Sequence, residues 1–230
     1  MITADALIAK FQYALDEKWG YIWGAAGSMW TEAKQKATGN EQAKKYGTQW
    51  VGHMVADCSG LFTWAFKQLG GTMYHGSDTM FRKYTTASGA LKAGKRTDGQ
   101  ELKPGTAVFV WKEADGKYGH VGLYIGNGYV IEAASTQKGV IKSKVSDKKW
   151  EYWGELKGVT YTVEPVPKGY AEVTGTRVAL RDAPTTAAGV IMRINTGCRV
   201  KKAEPPPSGW EYVTYNGKSG WMMKKFLRED

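Results

Sequence analysis

The chain has 230 residues, 42% of them hydrophobic and 23% charged, with a formal net charge of +10. This composition suits a globular chain with a real core, in one large or two modest domains. No stretch reaches the ~18 apolar residues that would span a membrane, and two cysteines and three histidines at irregular spacing exclude an ordinary zinc site and call for no cofactor.

The first predicted element is an amphipathic helix from Thr3 to Trp19, with Thr3 as its cap, Gly20 as its stop, and Ala6, Leu7, Phe11, Ala14 and Leu15 on one face. Tyr21-Ile22-Trp23-Gly24 follows as a short extended piece. Residues 29–50 are polar and rich in Lys and Gln, and read as a solvated helical excursion ending near Gly47. Asp57-Cys58-Ser59-Gly60-Leu61 then opens a second helix, which carries Leu61, Phe62, Trp64, Ala65, Phe66 and Leu69 and stops at Gly70-Gly71. Residues 72–101 read as helix fragments and loops.

From Leu102 the pattern turns to strands: Thr106–Trp111, a hairpin at Asp115-Gly116, His120–Ile125, a tight turn at Gly126-Asn127-Gly128, Tyr129–Ala133, Val140–Lys144 and Thr160–Val163. Residues 164–169 read as a linker. The rest is a run of short strands, Tyr170–Thr174, Val178–Arg181, Val190–Ile194, Arg199–Glu204, Trp210–Tyr215 and Gly220–Met223, and suggests a small all-β barrel. Pro205-Pro206-Pro207-Ser208-Gly209 reads as a loop between two of these strands.

Cys58 falls in the first turn of its helix, where free N–H groups and the helix dipole favour a negative charge and so a thiolate. A small core hydrophobe would occupy the same place. A cysteine nucleophile needs a base, and the base needs a partner that orients it. His120 and Glu132 flank one hairpin with equal parity about its turn, so both side chains can lie on one sheet face, with Glu132 close enough to accept the imidazole N–H. His53 reads as a loop residue near Cys58. Cys198 falls at an apolar strand position and is expected to be buried. It lies in a different domain from Cys58, so no disulfide is expected.

These blocks resemble the NlpC-type cell-wall cysteine peptidases, which are papain-like bacterial enzymes. The resemblance is carried by Tyr21-Ile22-Trp23-Gly24, Asp57-Cys58-Ser59-Gly60-Leu61, Lys103-Pro104-Gly105 with Val108-Phe109, and His120-Val121-Gly122-Leu123-Tyr124-Ile125-Gly126-Asn127-Gly128. It covers residues 1–163 and implies an α+β fold, helices packed on an antiparallel sheet. It implies Cys58 as nucleophile, His120 as base and Glu132 as the third polar residue, where the family more often has His, Asn or Gln. It also implies a site for the free amine of a peptidoglycan stem peptide, formed by Tyr21, Asp57 and Ser77. Asp57 is equally a helix cap. His75, Met80 and Thr106 stand where the family commonly has Arg, Gln and Asp.

Residues 170–230 resemble bacterial SH3-like domains, through Val178-Ala179-Leu180-Arg181-Asp182-Ala183-Pro184, Gly197-Cys198-Arg199-Val200 and Asn216-Gly217-Lys218-Ser219-Gly220-Trp221-Met222. That resemblance implies binding to cell-wall peptide or glycan. Trp210, Tyr212, Tyr215 and Trp221 are either a binding groove or core.

The implied activity is a peptidoglycan endopeptidase cutting between γ-D-glutamate and the diamino acid. The alternatives are an N-acetylmuramoyl-L-alanine amidase of the Cys-His-Glu type and a non-catalytic wall-binding protein. The positive charge suits an anionic cell wall. A nucleic-acid partner has only the charge in its favour and is not expected, and the chain is expected to act as a monomer. Met1 to Lys18 shows no secretory signal. The place of action that the resemblance implies is the wall outside the cell, reached either as a phage- or prophage-type lysin released through a holin or after loss of an export signal.

Overall fold

The structure is a computed structural model and describes residues 2–147, 149–161, 169–202 and 209–229. The chain divides into two compact units, Met1–Tyr161 and Thr162–Asp230. Most of the 164–169 stretch read as a linker, and Pro205 to Ser208, lie outside the described residues.

In the first unit the opening helix is Ala4–Asp16, with the Thr3 hydroxyl accepting the Ala6 N–H at 3.2 Å. It ends short of Trp19 because Lys18 turns to a positive φ of 52° and Trp19 swings into the core. The nucleophile-bearing helix is Cys58–Gln68. The two helices bury their apolar faces against each other, with the Phe11 and Phe62 rings 4.6 Å apart, edge to face. Leu7, Leu61, Ala65 and Phe66 complete this layer against Val121, Leu123, Ile131 and Ala133 of the sheet.

That sheet has seven antiparallel strands, in the order Lys95–Arg96, Thr85–Lys92, Tyr152–Leu156, Ala107–Lys112, Lys117–Gly126, Tyr129–Ser135 and Gly139–Lys144. With the helices it makes an α+β unit. The turn at Asn127-Gly128 has both residues at positive φ, 52° and 78°, as a tight hairpin requires. Two strands depart from the sequence expectation. Residues 72–101 hold the helix Ser77–Tyr84 and then an eight-residue strand, Thr85–Lys92, paired with Tyr152–Leu156 in the middle of the sheet. Gly89 and Gly154 sit in these strands for room. A Cβ on Gly89 would come within 2.9 Å of the Trp153 indole, and one on Gly154 within 2.5 Å of the Thr85 methyl.

The polar excursion is two short helices, Glu32–Ala37 and Glu41–Tyr46, capped by Thr31 and Asn40. It is not merely solvated. Trp30 and Ala43 pack with Ile22 and Val55 in a small core, and the Trp50 indole donates to the Thr136 carbonyl at 2.6 Å. The excursion starts and ends in one antiparallel pair, Ala26–Met29 with Met54–Ala56. That pairing brings Ala25 beside Asp57, whose N–H it accepts at 2.8 Å.

The second unit is seven antiparallel strands, in the order Val190–Ile194, Val178–Arg181, Lys218–Met223, Trp210–Tyr215, Arg199–Lys202, Tyr170–Val173 and Leu227–Arg228. Its core is Ala171, Val173, Val178, Leu180, Ile194, Val200, Val213 and Met222. Trp210, Tyr212, Tyr215 and Trp221 are half-buried, and Tyr212 meets Trp221 across the strand pair with rings 5.0 Å apart. Cys198 is half-buried rather than buried, because it sits just before its strand, where its sulfur accepts the Tyr215 hydroxyl at 3.3 Å.

Candidate active site

The helix Cys58–Gln68 begins at Asp57, whose Oδ1 accepts the Gly60 N–H at 2.7 Å and the Ser59 hydroxyl at 3.1 Å. Its Oδ2 accepts the Gly24 N–H at 2.8 Å and lies 2.8 Å from His75 Nε2. A carboxylate offers about four lone-pair sites, and Asp57, only 5% exposed, has a partner at each. The side chain thus caps the helix, holds the Tyr21-to-Gly24 segment against it, and engages His75.

Cys58 is 8% exposed, in the first helical turn, where the backbone N–H groups are free of helical partners. His120, on the strand Lys117–Gly126, feels the charge of Cys58. His120 Nε2 lies 2.7 Å from Glu132 Oε2, which leaves Nδ1 for the thiol. Leu123 pairs with Ile131 in this hairpin, so Glu132 lies on the diagonal to His120 on one face. The structure therefore brings Cys58, His120 and Glu132 together as a linear series.

Glu132 is fully buried. Besides His120, its Oε1 accepts the Ser143 hydroxyl at 2.6 Å, and both its oxygens accept Lys149 Nζ, at 2.5 and 2.7 Å. Burial favours the neutral acid, but the hydrogen bonds from His120, Lys149 and Ser143 outweigh it and hold the carboxyl at about 2. Burial likewise acts to lower His120. The hydrogen bonds and negative charges of Cys58 and Glu132 prevail and push the imidazole up to about 9. His120 therefore holds its second proton at neutral pH. The His120 ring also stacks on Trp150, 5.6 Å away and inclined by 22°. Trp150 occupies space that Gly122 leaves open, since a Cβ there would fall 2.7 Å from the indole.

Beside Cys58 is a cleft of roughly 600 Å³. Tyr21, Asp57 and Ser77 all line it, together with Trp23, Tyr74, His75, Lys112, Lys117 and Gly119. Burial, then the charges of Cys58 and Asp57, push the Tyr21 phenol well up, so it stays a neutral hydroxyl. The Ser77 hydroxyl donates to the Tyr118 carbonyl at 2.7 Å and keeps its lone pairs for acceptance. Trp23 and Tyr74 stand exposed on the rim. His53 lies outside this lining, packed edge-on to Trp50.

Ser143 and Lys149 are the site residues that the sequence reading did not find. Ser143 had a signal: Glu132 pairs with Ile141, so Ser143 lies on its diagonal, as His120 does on the other side. Lys149 had none, being in an irregular segment. In the second unit, Trp210 lines a shallow hollow with Pro184, Met223, Lys224 and Lys225.

The chain is 29% identical over 103 residues to Murein DD-endopeptidase MepH of Escherichia coli K12, covering 41% of this chain and 32% of that one. It thus spans about a third of the length of that curated relative. Among solved structures, the NlpC/p60 domain of the peptidoglycan hydrolase SagA shares 17% identity at a TM-score of 0.43, over 67% of this chain and 100% of the other. The peptidoglycan hydrolase RipB of Mycobacterium tuberculosis shares 21% at a TM-score of 0.41, over 67% of this chain and 68% of the other. The family model described as NlpC/P60 matches residues 21–156, a stretch that holds the helix start at Asp57, the His120 hairpin and every residue of the cleft named above. The chain belongs to the NlpC/P60 family.

Proposed function

We propose that the chain is a peptidoglycan endopeptidase that cuts the stem peptide between γ-D-glutamate and the diamino acid, with Cys58, His120 and Glu132 as its catalytic residues. The observation that carries this reading is the series itself: a thiol in a helix first turn, electrostatically coupled to an imidazole whose Nε2 is 2.7 Å from a buried carboxylate. The Cys58 proton rests on His120, as the imidazolium, and the thiolate attacks the amide carbonyl. The Cys58 N–H, at the helix start, stabilises the oxyanion. His120 then gives its proton to the leaving amine as the C–N bond breaks. Water, deprotonated by His120, hydrolyses the thioester and restores the thiol.

Tyr21, Asp57 and Ser77 would receive the ammonium of a free stem peptide. Since Asp57 already has a partner at every lone pair, the ammonium reaches Oδ2 by taking the place of His75. Residues 170–230 would serve as an SH3-like wall-binding domain after the 164–169 linker, with the Trp210 hollow and its lysines suited to an anionic polymer. A place of action at the wall follows from the same reading.

The test is mass spectrometry of digested peptidoglycan, with and without Cys58→Ala. A new N-terminal diamino acid, absent with the variant, supports the endopeptidase. The Glu132 carboxylate favours one second reading, the Cys-His-Glu amidase, which would instead leave new N-terminal L-Ala on intact stems. Digestion that Cys58→Ala leaves unchanged would overturn both.

A further inference from the structure

A fully buried carboxylate persists as an anion only where its lone pairs are filled and its charge is answered. Glu132 meets both conditions through residues outside the helix–hairpin pair. Lys149 comes from the segment between the strands Gly139–Lys144 and Tyr152–Leu156, and its ammonium bonds both Glu132 oxygens, at 2.5 and 2.7 Å. Ser143 fills the remaining site on Oε1 at 2.6 Å. The ammonium also lies over the Trp150 ring, 4.8 Å from its centroid, and that same indole stacks on His120. Ammonium and imidazole thus bond one carboxylate, and the indole packs against both. Among the described residues, the titratable and charged groups about His120 are Cys58 on the helix side, with Asp57 and Tyr21 beyond it, and Glu132 and Lys149 on the strand side.

An uncompensated carboxylate at the Glu132 position would hold the imidazolium proton tightly and make His120 a poor acid toward the leaving amine. An amide would orient the ring without that grip. We propose that Lys149 is a positioning residue that balances the charge of Glu132, so that the pair presents His120 with a net-neutral acceptor. The proposal rests on reading Cys58, His120 and Glu132 as one working set. Lys149 is 39% exposed along its side chain, so its ammonium can be exchanged for other groups with little loss of core.

The experiment is an NMR titration of His120, one of three histidines in the chain, in the parent, Lys149→Met, Lys149→Arg, Glu132→Gln and the double variant Glu132→Gln/Lys149→Met. Removing the ammonium takes away a repulsion on the imidazolium and leaves Glu132 unbalanced. Lys149→Met therefore raises the His120 titration midpoint by about one pH unit, and Lys149→Arg restores it. In the Glu132→Gln background, loss of Lys149 raises the midpoint by less than about a third of that, because without the carboxylate the half-exposed ammonium is no longer held beside His120. The pH profile of kcat/KM on a stem peptide gives the second readout, with the alkaline limb moving up alongside the NMR midpoint and kcat/KM at neutral pH falling about tenfold. A Lys149→Met protein that folds but leaves the midpoint unmoved, or a Lys149→Met shift that is as large in the Glu132→Gln background as in the parent, overturns the proposal. A parent chain that cleaves no stem peptide, while Lys149→Met still shifts His120, overturns the peptidase reading and supports the charge balance.

Discussion

Gly60→Ala sets two effects against each other, and the geometry decides between them. Gly60 lies in the first turn of the helix Cys58–Gln68. Helix propensity alone favours alanine there by about 1 kcal/mol. A Cβ at this position, however, would lie 2.0 Å from the Ala25 carbonyl oxygen and 3.1 Å from Ala26 Cα, both backbone atoms. The carbonyl would have to retreat by about 1.4 Å to reach an ordinary contact, and it is not free to do so. It accepts the Asp57 N–H at 2.8 Å, and the preceding residue, Gly24, donates to Asp57 Oδ2 at 2.8 Å. Overpacking of this kind costs about 1–3 kcal/mol, and a strained or broken hydrogen bond about 1 more. Net of propensity, Gly60→Ala destabilises the first unit by about 2 kcal/mol, or roughly 4–8 °C in its transition for a domain of this size. Urea unfolding gives the magnitude, and hydrogen exchange of the Cys58–Gln68 amides gives the location. Alkylation of Cys58 by iodoacetamide should change as well, since the displaced loop borders the thiol. A variant stabilised by about 1 kcal/mol, with alkylation unchanged, would refute the reasoning.

Other perturbations test the charges. Glu132 is held at about 2 against an ordinary 4.5, so its contribution, roughly 3 kcal/mol at 1.36 kcal/mol per unit, is complete above pH 4.5 and lost as pH falls toward 2; urea unfolding across that range should show the loss in the parent and little of it in Glu132→Gln. His120, raised from 6.5 to about 9, works in the opposite sense: its contribution is complete below pH 6.5 and lost as pH rises through 9, a slope that His120→Ala should remove. His75→Ala vacates one lone pair of Asp57, so KM for a stem peptide with a free N-terminal ammonium should fall about tenfold, while an N-acetylated stem is unaffected; equal changes for both would count against an amine site at Asp57. The net charge of +10 should make digestion of intact anionic wall fall with added salt while cleavage of a short soluble stem peptide does not.

The parts of the site that the sequence made legible are those whose signals are local. Asp57, Ser59 and the Gly70-Gly71 stop mark a helix within a dozen residues, and Asn127-Gly128 marks a hairpin within two, which places His120 and Glu132 by parity alone. What stayed hidden depends on partners far along the chain. Thr85–Lys92 and Tyr152–Leu156 read poorly as strands because each carries a glycine, yet each glycine is there to admit a side chain from its neighbour: Trp153 over Gly89, Thr85 over Gly154. The excursion reads as solvated because its apolar residues, Trp30 and Ala43, are few, and their partners Ile22 and Val55 flank it rather than belong to it. Lys149 carries no local mark. Its role exists only because the segment before Tyr152 crosses the sheet face on which Glu132 lies.

Two buried carboxylates stand on either side of the thiol–imidazole pair, and they do different work. Asp57 bonds to backbone as well as to Ser59 and His75: the Gly60 and Gly24 N–H groups hold the helix start to the Ala25 loop, and so fix where Cys58 is. Glu132 bonds only to side chains, and so fixes how the His120 ring is turned and charged. Cys58 and His120 come from separate elements, and each carboxylate is saturated by groups of its own side. Neutralising them should therefore fail in distinct ways. Asp57→Asn turns one acceptor oxygen into a donor and loosens the loop, shifting backbone and thiol together and costing fold stability as well as activity. Glu132→Gln keeps a neutral acceptor for His120 but leaves the Lys149 ammonium without its counter-charge, so its first effect falls on the pH dependence of the site rather than on the position of Cys58.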